Sequence, residues 1–268
     1  MCNYNGVRVS RSEFLRLKDI ELEVERYNLT RIVQNGFDYL EWPVIRSSDS
    51  FNAELVMMEW GFLPSNVRNR EAVTRFRKGY KDASGKFIRP MTTLNAVGEE
   101  LILPGKMYRD AALNRRCLLV SSGFFEWRHF QAIGKSGKIL KTPEKYPYHI
   151  GLRDKPYFFM AGVWQNWTDR DTRETTPTVA LVTTFANGLM RQIHNSKLRM
   201  PTILTEDLAA EWISDGLSEE RITEIATYQI PSKEMDAYTL EKDFIKSDEP
   251  LKQVTYSHIP ELVFEDAI

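Results

Sequence analysis

Cys2, Glu126 and His194 are the residues of this chain whose types and settings could do chemistry. Removal of Met1 is expected ahead of a residue as small as cysteine, and it would leave Cys2 with a free α-amine and a thiol on adjacent carbons. Such a 1,2-aminothiol takes an aldehyde as an imine and then closes a five-membered thiazolidine, which an internal cysteine cannot do. The amine titrates near about 7.7–8.0 and a thiol near about 8.5, so modest tuning makes both nucleophilic at neutral pH. The plainer alternative is an incidental, buried cysteine. Glu126 lies between Phe125 and Trp127. There a carboxyl is either partly desolvated, with its pKa raised toward acid–base work, or turned to solvent on a strand of period two. His194 sits in a polar segment with Arg191, Asn195, Lys197 and Arg199. The other histidines, His129, His149 and His258, read as structural, and Cys117, inside an apolar run, reads as core.

With 268 residues, 42% of them hydrophobic and 27% charged, the chain has the composition of a globular protein that can bury a sizeable core. Two cysteines exclude a disulfide framework and a four-thiolate metal site within the chain. No cofactor is expected. The absence of a leader-like start and of any apolar run of about 18 residues implies a reducing, cytoplasmic setting without membrane attachment. A net charge of −1 does not announce a nucleic-acid binder, but its distribution is uneven. From Arg68 to Arg89, eight cations (Arg68, Arg70, Arg75, Arg77, Lys78, Lys81, Lys86 and Arg89) face only Glu71 and Asp82, with Phe76, Tyr80 and Phe87 interleaved. Cations mixed with aromatics suit a single nucleic-acid strand. A solvated helix face followed by a polar loop fits the same pattern.

The elements that must hold these residues follow from hydrophobic period and caps. Strands are expected over residues 39–45, 55–60, 115–120, 146–152, 156–164 and 177–185. Helices are expected over 69–80 and 107–114, over 205–213 capped by Thr205, and over 218–228 capped by Ser218. A short helix could start at Ser12 and run to Leu17. Residues 20–27 alternate in a way that also fits a strand, so that segment stays open. Residues 134–145 read as an exposed hairpin or loop, and those after about 241 as a polar tail without a core role. Many strands with a few helices indicate an α+β domain on mostly antiparallel sheet.

Five short motifs fall in one order: Cys2; Trp60-Gly61-x-x-Pro64; Asn95-Ala96 with Glu99; Arg116-Cys117-Leu118 through Gly123-Phe124-Phe125-Glu126-Trp127; and His194 with Arg199-Met200-Pro201. In this order the chain resembles the SOS-response-associated peptidase (SRAP) family, the abasic-site DNA–protein crosslinking proteins, from residue 2 to about 240. The resemblance implies a monomeric single domain over 2–240, a β-barrel-like core with flanking helices, followed by a polar tail over 241–268. It implies an exposed Cys2 at a positively charged groove. There Cys2 captures the aldehyde of an abasic site in single-stranded DNA as a thiazolidine, with lyase-like and autoproteolytic thiol peptidase activity. Carried over by motif position, Asn95 holds the N-terminus and sugar, Glu126 relays protons during imine formation, and His194 acts at the deoxyribose oxygen. Trp60, Pro64, Arg68, Arg70, Arg77, Lys197 and Arg199 are the expected DNA contacts.

Three departures from the family pattern bear on those contacts. Asn3 and Tyr4 follow Cys2 where Gly-Arg is usual, Val97 stands in an arginine position, and four residues separate His194 from Arg199. Two other functions compete. One is a cysteine peptidase acting on its own Met1 or on peptides, for which the sequence offers no oxyanion-hole signature. The other is a non-catalytic single-strand binder built on the basic–aromatic segment.

Overall fold

The computed structural model describes residues 2–10, 15–18, 20–22, 27, 29–48, 53–131, 138 and 141–266. Five strands close on themselves into a barrel. Thr175–Phe185 runs parallel to Ala53–Trp60, which pairs antiparallel with Glu41–Ser47; this pairs with Arg116–Ser121, that with Phe158–Thr168, and the last returns to Thr175–Phe185. Arg116–Ser121 is buried at every position, the pattern of a strand covered on both faces. Trp42, Trp60 and Trp212 fill the core without exposure. Their indole N–H groups are satisfied by the carbonyls of Val120, Leu94 and Cys117, as large buried aromatics with a polar tip require. Cys117 is part of this core.

A second, wholly antiparallel sheet has the order Met235–Thr239, Glu144–Leu152, Gly123–Phe130, Tyr4–Arg8, Thr30–Asn35. Barrel strand Arg116–Ser121 runs through Ser122 into Gly123–Phe130, so one stretch of chain feeds both layers. The N-terminal strand lies inside this sheet, with Tyr4 opposite Phe125 and Gly6 opposite Gly123. A side chain at Gly6 would put its Cβ 2.4 Å from the Ile32 carbonyl oxygen, so only glycine lets these strands meet. The fold is thus α+β, a mostly antiparallel barrel-like core with flanking helices.

Helices Arg70–Lys78, Glu206–Trp212 and Glu219–Ala226 start where the sequence places them, with Asn69, Thr205 and Ser218 accepting from backbone N–H groups of the first turn. Arg116 ties two helices to the barrel: its guanidinium donates to Ala112 and Leu113 at the end of helix Arg109–Asn114 and to Trp212 at the end of Glu206–Trp212. Those are carbonyls a helix leaves without internal partners.

Several expectations need correction. The proposed helix to Leu17 is instead a strand, Leu15–Leu17, turning at Lys18 to pair with Ile20–Leu22; its start, 11–14, lies outside the described residues, as do 23–26. Leu15, Leu17 and Leu22 are buried, so the period of two prevails. Much of the expected 134–145 loop also lies outside the described residues. The segment after 241 is not a detached tail. Phe244 is buried and stacks on Phe125 at 5.1 Å, Leu240 bridges to Gln253, and the Asp266 carboxylate accepts from Gly188 N and Ser232 Oγ. Its apolar residues are spaced too irregularly to show a period, yet they cover the outer face of the second sheet.

Candidate functional site

Cys2 enters the site along the N-terminal strand. Its side chain is 1% exposed, and the thiol donates to the Tyr4 carbonyl at 3.7 Å. This corrects the expected exposed cysteine: the residue packs with the core. Burial, then the nearby Glu126 carboxyl, pushes the thiol well above its ordinary pKa, so it stays protonated at neutral pH.

Glu126 resolves to the interior. Its strand neighbours point the other way, Phe125 against Phe244 and Trp127 against Tyr4 at 5.0 Å. With that face claimed by aromatics, the period of two drives Glu126 inward, where it is 6% exposed. Its Oε1 has no hydrogen-bond partner, and burial pushes the carboxyl up to about 8.

His194 lies 3.6 Å from it, Nε2 to Oε2, and is 5% exposed. Burial lowers its pKa to about 4, so at neutral pH the two form a neutral acid beside a neutral base, not an ion pair. Nδ1 lies 2.8 Å from the Arg199 carbonyl. A carbonyl only accepts, so Nδ1 carries the ring proton and Nε2 faces Glu126 as an acceptor. Helix Gly188–Ile193, capped by Asn187, ends at His194. The four residues between His194 and Arg199 are absorbed in a turn: Leu198 N donates to His194 O at 2.9 Å, and Leu198 adopts a left-handed φ of 55°. Asn195 clasps His129 N and O at 3.0 and 2.8 Å, tying this turn to the Glu126 strand.

Asn95 completes the group. Its amide donates to Asn3 Oδ1 at 3.0 Å, while its own Oδ1 is buried without a partner. Tyr108 supports it from behind, donating to the Asn95 carbonyl at 3.3 Å. An orphaned acceptor on Asn95 and another on Glu126 leave the site with unspent hydrogen-bonding capacity. The sequence assigns no bonding role to Asn3, Asn195 or the carbonyls of Tyr4 and Arg199, because backbone acceptors and amide clamps carry no motif.

The expected DNA contacts separate. Trp60 is fully buried and holds the Leu94 carbonyl, so it supports the Asn95 strand and reaches no solvent. Arg77 is taken by Glu59 at 2.6 Å and the Gly61 carbonyl, with its guanidinium 3.8 Å from the Tyr39 ring centre. Arg199 pairs with Glu99 at 2.7 Å. Arg70 is half-exposed, bonded to Thr176 at 2.7 Å and lying over Trp167. In each case a nearby carboxylate or aromatic ring claims a cation that the sequence leaves free. Arg68 and Lys197 are exposed, and Pro64 is half-buried.

A closed barrel beside a second sheet, with a cysteine at the head of an interior strand next to a buried carboxyl and imidazole, defines a barrel protein whose thiol, carboxyl and imidazole lie together out of solvent. The chain matches the SOS response associated peptidase (SRAP) family over residues 6–247 and belongs to it. It is 25% identical over 224 residues to the abasic site processing protein YoqW of Bacillus subtilis, covering 80% of this chain and 85% of that one. It is 24% identical over 193 residues to YoaM, an abasic site processing protein of the same organism, covering 71% and 70%. A crystal structure of a protein from Bacteroides thetaiotaomicron superposes with a TM-score of 0.72 at 29% identity, covering 95% of this chain and all of that one. One from Bordetella bronchiseptica, at 16% identity and a TM-score of 0.65 over 90% of this chain and all of that one, shares the fold.

Proposed function

We propose that this protein captures abasic sites in single-stranded DNA through Cys2 once Met1 is removed. The observation that carries the reading is the buried, uncharged trio of Cys2, Glu126 and His194 with a free acceptor on Glu126. Membership of the family and the abasic-site names of the relatives support it.

The chemistry uses protons the site already holds. His194 Nε2 takes the proton of the closed sugar's anomeric hydroxyl and passes it to the ring oxygen, which opens the aldehyde. The Cys2 amine adds to the aldehyde carbon to give a carbinolamine. Glu126, protonated below about pH 8, gives its proton to the carbinolamine oxygen, which leaves as water. The thiol then returns a proton to the Glu126 carboxylate as sulfur adds to the iminium carbon, and the ring nitrogen keeps its hydrogen. The sum is aldehyde plus aminothiol to thiazolidine plus one water. A thiol whose pKa is raised suits this order, since it holds its proton until the carboxylate needs it. Asn95, whose amide donates to Asn3 and whose Oδ1 has no partner, supplies an acceptor for the freed amine. A narrower reading, Cys2-dependent peptidase action confined to Met1, rests on the family's description as peptidases.

Intact-protein mass spectrometry before and after mixing with a strand containing one abasic site tests the proposal. The expected result is a chain lacking Met1, then an adduct lighter than the sum of its parts by one water, absent in Cys2→Ala. An adduct of equal yield in Cys2→Ala overturns the mechanism. A processed protein that forms no adduct but cleaves peptides would favour the peptidase reading.

A further inference from the structure

Between helix Arg70–Lys78 and the strand that carries Asn95, the chain forms a hairpin that the site does not use: Tyr80–Lys81 paired with Phe87–Ile88. Of the eight cations from Arg68 to Arg89, Arg70 and Arg77 bond Glu59, and Arg75 bonds Glu71. Arg68, Lys78, Lys81, Lys86 and Arg89 are exposed and, among the described residues, form no ion pair. The acid of the turn is folded inward: the Asp82 carboxylate accepts from Ser84 N, Ser84 Oγ and Lys86 N at 2.9, 2.6 and 3.0 Å.

Lysines alone would be explained as guards of exposed strand edges. Phe87 is not. It is 54% exposed, and its ring tip lies over Gly79, 2.8 Å from where a Cβ there would sit. Gly79 has a φ of 75°, so a glycine serves both the turn and the ring. Lys81 is the cross-strand partner of Phe87 and shares its face. Tyr80, 40% exposed, lies on the opposite face. The hairpin is anchored near the site, because Thr93 O accepts from Phe62 N and Leu94 O from the Trp60 indole. The chain from Ile88 to Asn95 spans at most about 25 Å.

We propose that this hairpin clamps the nucleic-acid strand on one side of the lesion. A flanking base stacks on Phe87, while Lys81, Lys86 and their neighbours neutralise phosphates without reading sequence. The inference rests on the capture reading above and names the surface that holds its substrate.

The test measures binding of the protein to a labelled, intact oligothymidine of about 15 nucleotides by fluorescence anisotropy across a salt series. Phe87→Ala is expected to weaken binding about tenfold. Lys81→Gln with Lys86→Gln is expected to reduce the slope of log affinity against log salt by about 1.4. Both variants should melt as the parent does, since all three side chains are exposed. With the abasic form of the same strand, the half-saturating concentration should rise while the saturated crosslinking rate holds, separating binding from chemistry. Parental affinity and salt slope in both variants overturn the proposal, and if the parent still crosslinks, the capture reading survives. A parent that forms no covalent product, but whose strand binding falls in both variants, overturns the capture reading and supports the clamp. Parent protein that binds anionic-lipid vesicles more tightly than the strand, with loss in the variants, also overturns the clamp.

Discussion

Glu126 is buried and Glu99 half-buried, both carboxyls are joined to the His194–Arg199 turn, and their environments push them in opposite directions. Burial alone would raise Glu99, but hydrogen bonds from Arg199 and Thr184, and the charge of the guanidinium, outweigh it and hold the carboxyl below its ordinary value. Phe185 N donates to it as well, at 3.0 Å. Glu126 has a neutral imidazole at 3.6 Å, an unpartnered Oε1 and, among the described residues, no arginine or lysine paired to it, so burial prevails over the hydrogen bond from the Trp127 backbone. A carboxylate with a cation and several donors becomes part of the scaffold, whereas one denied them keeps a proton it can give away. Arg199 serves both: its side chain fixes Glu99 and its carbonyl fixes the His194 ring.

Glu126 is the carboxyl whose replacement should have the largest effect. Glu126→Gln should slow crosslinking by about 10²–10⁴-fold, the usual worth of a positioned acid or base. It should also remove the fall in rate above about pH 8 that loss of the Glu126 proton produces; quench-flow gels against pH read both. The same substitution at Glu99 should leave the rate profile's alkaline limb in place.

Stability is the next largest effect. Arg199→Met strands the Glu99 carboxylate, whose side chain is 23% exposed, and should cost about 1–3 kcal/mol in urea unfolding. Arg199→Met/Glu99→Gln together should recover part of that cost.

The pH dependence of stability sharpens the contrast. Glu126 binds its proton more tightly folded, at about 8, than unfolded, near 4.5. Its contribution is therefore full below the unfolded value and is lost as pH rises to about 8. His194 and His149, both lowered to about 4 from 6.5, act with opposite sign: their neutral folded forms cost stability as pH falls from about 6.5 to about 4. Between about pH 6.5 and 8 Glu126 acts without them, and Glu126→Gln should flatten the decline of melting temperature in that window. The smallest effect expected is from Asn195→Ala, about 1 kcal/mol or less for the lost clasp on His129, with a modest rise in the half-saturating strand concentration as the His194 turn loosens.

Much of the scaffold was legible because it follows short-range rules. Asn69, Thr205 and Ser218 cap helices by their own chemistry, and barrel strands such as 116–121 show as apolar runs. The N-terminal strand was not legible. Tyr4–Arg8 alternates weakly, and its place between two other strands depends on a partner more than a hundred residues away. Residues 241–266 were missed for a related reason, since Phe244 is core only because Phe125 lies beneath it.

For the site, the sequence by itself determined which reactive types are present and in what order: a cysteine at position two, a carboxyl between two aromatics, an imidazole before Arg-Met-Pro. Tertiary structure decided their electrostatics. Whether Glu126 faced solvent or core, and whether Arg199 served DNA or Glu99, depended on neighbours distant in sequence. Desolvation and ion pairing act through space, so identical letters gave a carboxyl that holds its proton at one position and a paired anion at the other.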